Sequence, residues 1–358
     1  MKHKKQDDPH LKTLKELTDE GYYEHFNFTV DDGQTPERID KFLMGRLPNV
    51  SRNRIQNAIK AGCVLVDDIP IKPNHKVKPG ASIVIVLPEP PRNKEVIPED
   101  IPLDIVYEDD QLLVVNKPAG MVVHPGHGHH TGTLVNALAH YFSNLPDNSD
   151  EEPRPGLVHR IDKGTSGLLV VAKTEHAMTY LAKQFAAHTI EKTYRALVWG
   201  RPETDKGTLT GYMGRSPRDR KIMEVFDEPE KGKKAITHFK ILEDLGYVSL
   251  LECRLETGRT HQIRAHMRHE GHPIFNDNYY GGDRIVKGPA FSKYRQFIQN
   301  CFNILPTPAL HAKSLGFYHP TDERKMHFET PLTEGFEEIL TKWRQFQEKL
   351  VHHTFQEG

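Results

Sequence analysis

The chain has 358 residues, 37% of them hydrophobic and 27% charged, with a formal net charge of −1; that length suits two domains and that composition a globular protein in water. No apolar run reaches the ~20 residues of a membrane span, and residues 1–17 are charged without the apolar stretch of a secretory leader, so a cytoplasmic protein with no membrane partner is expected. Three cysteines (Cys63, Cys253, Cys301) with no C-x-x-C spacing exclude a disulfide framework and a zinc knuckle.

In chain order, residues 1–25 are polar and read as a tail or a frayed helix, and a compact unit is expected over 26–88. Its first helix is expected over 36–43, with Ile39, Phe42 and Leu43 on one face. A second is expected over 52–60, capped by Ser51 and facing Ile55, Ala58 and Ile59 inward. Gly62 suits the left-handed residue that ends such a helix. Strands follow over 63–66 and 69–71, joined at Asp67-Asp68, and over 82–87 after the turn Lys78-Pro79-Gly80. Charge is segregated: residues 36–82 carry nine Lys/Arg against four Asp/Glu, and residues 89–110 carry eight acids against two basic residues. Phosphate binding depends on such local fields rather than on the total. A stiff, proline-rich linker is expected over 89–100, before a second domain over 101–350.

In that second domain strands are expected over 105–107, 112–116, 167–172, 193–199, 235–242 and 248–255. Helices are expected over 133–142, 176–187, 261–270 and 335–349. Strands interrupted by helices, without regular βαβ alternation, point to an α+β fold.

Several residues carry chemistry. Arg52 and Arg54 open the second helix and Lys60 closes it; a helix N-terminus with two arginines favours a phosphate. Asp162 stands between Arg160 and Lys163 in a glycine-flanked loop leading into an apolar strand. Its neighbours favour the ionised form, which suits a nucleophile, while an Asx-turn is the structural alternative. Residues 256–273 read as a turn and a short helix, capped by Thr260 and stopped by Gly271 and Pro273. Ile263 and Met267 give that helix an apolar stripe. His261, Arg264 and Arg268 share another face, suited to phosphates or to a buried carboxylate. On the strand over 193–199, Tyr194 is placed either to stack on a base or to pack in the core. Histidines crowd two loops: His124, His127, His129 and His130, then His261, His266, His269 and His272. They lack an H-E-x-x-H or cysteine partner, and no metal is expected.

Arg38 to Leu43 and the run SRNRIQNAIKAGCVLVDD over 51–68 resemble the small alpha-L RNA-binding module of a ribosomal protein. The runs HRIDKGTSGLLVVAKT (159–174), EKTYRALVWG (191–200) and GRTHQIRAHMRHEGHPIFND (258–277) are similar to the RluA family of RNA pseudouridine synthases. NKPAGMVVHP (116–125) and Leu310-His311-Ala312 agree, and the resemblance spans 101–332. It implies a catalytic domain with a mixed, largely antiparallel sheet flanked by helices, preceded by the alpha-L module. It implies isomerisation of uridine to pseudouridine without a cofactor, on large-subunit (23S) ribosomal RNA or the assembling subunit, with transfer RNA as the alternative. A monomer is expected.

The same resemblance implies residue roles. Asp162 would attack the uridine at C6 or C1′, Tyr194 would lie against the uracil and assist proton removal, and Arg264 would pair with Asp162. Arg160 would fill the helix in place of the flipped-out uridine, flipping being required because a stacked base cannot be cut and rejoined at C5. His159, Thr165, His261, Gln262 and Arg268 are expected at the substrate, with Arg52, Arg54 and Lys60 on the RNA backbone. The rival from another class is a non-catalytic RNA-binding protein of ribosome assembly. One departure stands out: FIQNCFNILPTPA separates Arg295-Gln296 from Leu310, an apparent insertion expected to bear on local RNA contacts more than on activity.

Overall fold

A computed structural model describes residues 12–47, 50–88, 96–126, 129–142, 145–146 and 155–354, with side chains as far as 349. His127 and residues 89–95 of the expected linker lie outside the described residues. The chain divides into two compact units, residues 1–94 and 95–358.

The first unit runs α1 (Leu14–Asp19), β1 (Tyr23–Thr29), β2 (Glu37–Arg38), α2 (Ile39–Arg46), α3 (Arg52–Lys60), β3 (Val64–Val66), β4 (Ile69–Pro70), β5 (Lys76–Val77) and β6 (Ser82–Leu87). Four strands form an antiparallel sheet in the order β1-β6-β3-β4. On it α2 and α3 bury Ile39, Phe42, Leu43, Ile55 and Ile59 against Val64, Val66, Ile83 and Ile85. The Ser51 hydroxyl accepts from Arg54 N, and Gly62 takes a φ of +75° past α3. Asp67 and Asp68 both have positive φ, the geometry of the tight hairpin turn that joins two twisted strands.

Two expectations shift in this unit. Helix α2 starts at Ile39 rather than at residue 36, because Arg38 stays extended and pairs with Lys76 of β5. Residues 14–19 form a helix with a Thr13–Glu16 capping box, and Leu17 packs on Leu65, Val84 and Val86. From there on, the stretch read as a polar tail is part of the unit, because a single leucine gives it a side to bury.

The second unit runs β7 (Ile105–Glu108), β8 (Leu112–Lys117), α4 (Leu134–Tyr141), β9 (Ser166–Ala172), α5 (Glu175–Ala186), β10 (Glu191–Trp199), β11 (Lys206–Arg215), β12 (Met223–Phe226) and β13 (Lys233–Asp244). It continues with β14 (Val248–Leu255), α6 (Gln262–His269), α7 (Ser292–Ile304), β15 (Leu310–Tyr318), β16 (Lys325–Glu329) and α8 (Glu334–Thr354). Its sheet is ordered β12-β11-β13-β14-β10-β15-β9-β8-β7, with β16 added on β15. The β9–β15 pairing is parallel, and the other named strand pairings are antiparallel. The mixed, largely antiparallel sheet is thus as expected.

The largest core joins this sheet to α7 and α8 through Trp199, Phe275, Tyr294 and Trp343. A second cluster seats α5 (Ala177, Met178, Leu181) on Leu168, Val170 and Phe317. The apparent insertion supplies the second half of α7, where Ile298 and Cys301 are buried beside Tyr294. Their spacings of four and three residues place all three on one helical face.

Candidate active site

The central strands converge on a cavity of about 490 Å³ whose lining includes Asp162, Thr165, Tyr194, His261 and Arg264. Asp162 sits in a turn closed by Thr165 N donating to its carbonyl at 3.1 Å, just before β9 begins. That turn is held from two sides. The buried Lys117 at the end of β8 donates through Nζ to the carbonyls of Pro118 (2.7 Å), Met121 (2.8 Å) and Lys163 (3.4 Å). Burial pushes its ammonium down to about 7, against the opposing pull of Asp162. On the other side, a Cβ at Gly164 would lie 2.8 Å from Pro308 Cδ, so the segment after α7 presses on the turn.

The cation paired with Asp162 comes from α6, not from its chain neighbours. Arg264 Nη1 lies 3.2 Å from Asp162 Oδ2. The rest of its guanidinium grips the wholly buried Asp277 through Nε (2.7 Å) and Nη2 (2.9 Å). Burial opposes the arginine's charge, but the Asp277 hydrogen bonds and then the two carboxylate charges overcome it, and its pKa is raised. The guanidinium also faces Tyr279 and Tyr280, at 5.6 and 5.0 Å from the ring centroids. Arg160, meanwhile, contacts His124 Nε2 at 3.1 Å, and Lys163 contacts His129 Nε2 at 3.0 Å.

Tyr194 enters from β10 and is buried against the core while lining the cavity. Packing in the core therefore does not remove it from the cavity. Burial, reinforced by the Asp162 charge, pushes its phenol well up, so it is neutral at physiological pH. His261 occupies the capping position of α6 with a left-handed backbone (φ 55°), and its Nδ1 lies 3.0 Å from the Tyr280 hydroxyl. Burial lowers its pKa. A carboxylate held by a buried guanidinium beside a neutral phenol can act as a nucleophile with a proton relay at hand.

Residues 111–269 match the RNA pseudouridylate synthase family and residues 37–83 match the S4 domain. The chain is 47% identical over 88% of its length to an RNA pseudouridine synthase of Chlorobaculum parvum, covering 96% of that protein. The chain belongs to the RluA family of RNA pseudouridine synthases. It is also 42% identical to the ribosomal large subunit pseudouridine synthase D of Zymomonas mobilis, over 84% of this chain and 92% of that one. The solved structure of human RNA pseudouridylate synthase domain containing 4 superposes with a TM-score of 0.51 at 23% identity, covering 67% of this chain and 92% of that one, which agrees in fold.

Not every residue expected at the synthase's substrate is free to reach it. Gln262 lines the cavity, but its amide is spent on the fold: its Nε2 donates to Ile236 O and Thr237 Oγ1, while its Oε1 accepts from Thr257 Oγ1 and Arg259 N. Arg268 is exposed on α6, does not line the cavity, and so does not act with the buried Arg264. The reason is rotational: residues 264 and 268 are about 40° apart on a helix, and here that angle spans the edge between interior and solvent. Thr260 does not cap α6, since His261 holds the capping position without a side-chain cap bond. His159 lines the cavity, but its Nε2 accepts from Val170 N at 3.0 Å and its ring stacks on Phe185. Thr165 lines the cavity and is buried.

In the first unit Arg54 and Lys60 are exposed on α3. Arg52 is shared: it donates to Asp40 Oδ2, which also accepts from Arg38 and Gln56. These bonds, Arg38 first, hold the buried Asp40 carboxyl far below its ordinary range. The histidine loops are dispersed in the structure. His266 Nδ1 contacts Thr237 and His272 Nδ1 contacts Trp199 O. Among the described residues no three His, Cys, Asp or Glu side chains are grouped to hold a metal, and no helix is long and apolar enough to cross a membrane. The sequence reading missed Asp277, Lys117 and Asp40. Asp277 pairs with an arginine thirteen residues away, the arginines on Asp40 look like ordinary surface charges, and Lys117 bonds only to backbone carbonyls, which every residue carries.

Proposed function

We propose that this synthase converts uridine to pseudouridine in large-subunit ribosomal RNA, with Asp162 as nucleophile on a flipped-out uridine. The observation that carries the chemistry is the Arg264 bridge, which orients Asp162 at the cavity while its own charge is matched by the buried Asp277. Asp162 adds to C1′ or to C6 of the target nucleotide and the C1′–N1 bond breaks. The uracil turns within the cavity, C5 bonds to C1′, the bond to Asp162 breaks and frees the carboxylate, the C5 proton leaves and N1 takes up a proton. No atom is gained or lost and no redox partner is required. Tyr194 lies against the ring and takes up the C5 proton for release. Burial and the Asp162 charge keep that phenol protonated; once the carboxylate is esterified the opposing negative charge is gone, the phenol gives up its proton to N1 more readily, and the phenolate can take the C5 proton. Exposed Arg160, at the cavity rim, fills the space the uridine vacates.

Similarity to the large-subunit synthase of Zymomonas mobilis supports the ribosomal target. The basic α3 face of the S4-type unit, with Arg54 and Lys60 exposed and Arg52 braced by Asp40, supports contact with an RNA backbone. The test uses a 23S transcript carrying uridine tritiated at C5. Wild-type protein is expected to release tritium with nothing else added, and Asp162→Asn to release none. Release from both would sink the assignment of Asp162, and release only from transfer RNA would sink the ribosomal target.

A further inference from the structure

Lys192 stands on β10 two residues before Tyr194 and lines the same cavity, at an end formed with Phe185, Ala186, His188 and Gly258. Its ammonium lies 5.4 Å from the Phe185 ring centroid, and a Cβ added to Gly258 would sit 3.5 Å from its Nζ. The other cations in the lining are engaged. Arg264 holds two carboxylates, Arg160 contacts His124, and Arg259 Nε donates to Lys234 O. The Lys192 ammonium has no ion pair and no hydrogen bond among the described residues. Burial lowers its pKa with no carboxylate in opposition. His159 beside it is neutral, pushed down to about 3 by burial and then by Lys192. A half-buried ammonium without an anion is unfavourable unless a ligand supplies one. In an enzyme acting on RNA the ligand brings an anion at every nucleotide.

We propose that Lys192 anchors a phosphodiester adjacent to the target nucleotide, fixing the backbone at the Phe185 end of the cavity while the uracil occupies the Asp162 end. This rests on the reading of the substrate as RNA. The anchor explains two neighbours. Gly258 leaves room beside Nζ for phosphate oxygens, and the Phe185 face shields the ammonium from water until the RNA arrives.

The test compares Lys192→Met and Lys192→Arg with wild type, on the same 23S transcript, by tritium release and by filter binding between 50 and 200 mM salt (values of about the range over which phosphate contacts are resolved). Lys192→Met is expected to raise KM roughly tenfold with kcat changed less than about threefold, and to reduce the slope of log affinity against log salt by about 1. Lys192→Arg keeps the slope. Because the ammonium has no ion pair or hydrogen bond to lose and a methionine keeps contact with the Phe185 ring, Lys192→Met should melt no lower than wild type, which separates a lost contact from a damaged fold. An unchanged salt slope in Lys192→Met overturns the anchor. So does a fall in kcat at constant KM with a displaced pH profile, which would make Lys192 a proton-transfer group. Absence of tritium release by wild type would count against the proposed substrate alone, since the binding slope still judges the anchor.

Discussion

Arg264 shows why two cations of equal charge are not equivalent. Three nitrogens of one planar group reach two carboxylates at once, with Asp277 fixing the plane and Asp162 receiving what remains. Lysine offers a single point charge and cannot hold both directions. Arg264→Lys is therefore expected to lower kcat about a hundredfold with a much smaller change in KM, as an orientation defect should; an equal rise in KM would instead assign Arg264 to substrate binding. Tyr194→Phe keeps the ring packed in the core and removes the hydroxyl. It should leave the melting temperature within a few degrees and slow tritium release by about 10²-fold, and wild-type rates in this variant would remove the phenol from the proton path.

Among the elements, β9 and its approach loop carry the tightest constraints. Gly167 has a φ of +111°, and a Cβ there would lie 2.2 Å from the Ala312 carbonyl oxygen of β15. That clash is with backbone in the middle of a parallel pairing, so Gly167→Ala should lower stability by about 2 kcal/mol or more, measured as a lower urea midpoint. A Cβ at Gly164 would instead meet the Pro308 ring at 2.8 Å, so the turn or the Pro308 segment has to shift. Gly164→Ala should cost less stability than Gly167→Ala, because its clash is with a ring and not with strand backbone, and should displace the Asp162 turn, so the expected sign is lost kcat with a smaller fall in denaturation midpoint. A reversed ranking of these two variants would show that the loop, not the strand, bears the load. The α7 segment matters for the same reason: its continuation, ending at Pro308, braces the turn that presents Asp162.

For the molecule as a whole, the buried His266 and His311 and the half-buried His159 contribute to the acid limit. His159, His266 and His311 are pushed by burial from 6.5 down to about 3, 4 and 4 respectively. Above pH 6.5 they are neutral whether the chain is folded or not; below it the unfolded chain takes up protons that the folded chain resists, so stability falls as pH falls toward 4. Urea midpoints should drop steadily from pH 6.5 to 4, and His311→Asn should flatten that decline; a flat wild-type profile would contradict the buried neutral state. Much of this fold was legible in the sequence because short-range physics dictates it: Ser51 capping α3, the apolar strand over 82–87 and the limits of β14 follow from local pattern alone. Hairpin β11–β12 and strands β15–β16 escaped because their residues are polar or mixed and become strands only by pairing with neighbours. At the site, the motifs around residues 162, 194 and 264 were readable in the chain as three separate pieces carrying an acid, a phenol and a cation. Only the tertiary structure decided that Arg264 turns inward while Arg268 faces water, that the Gln262 amide is consumed by the fold, and that Asp277 and Lys117 are buried beside the Asp162 turn. The physical reason is that residue type and spacing determine what a side chain is able to do, whereas burial and the partners brought from distant strands determine which of those abilities it keeps.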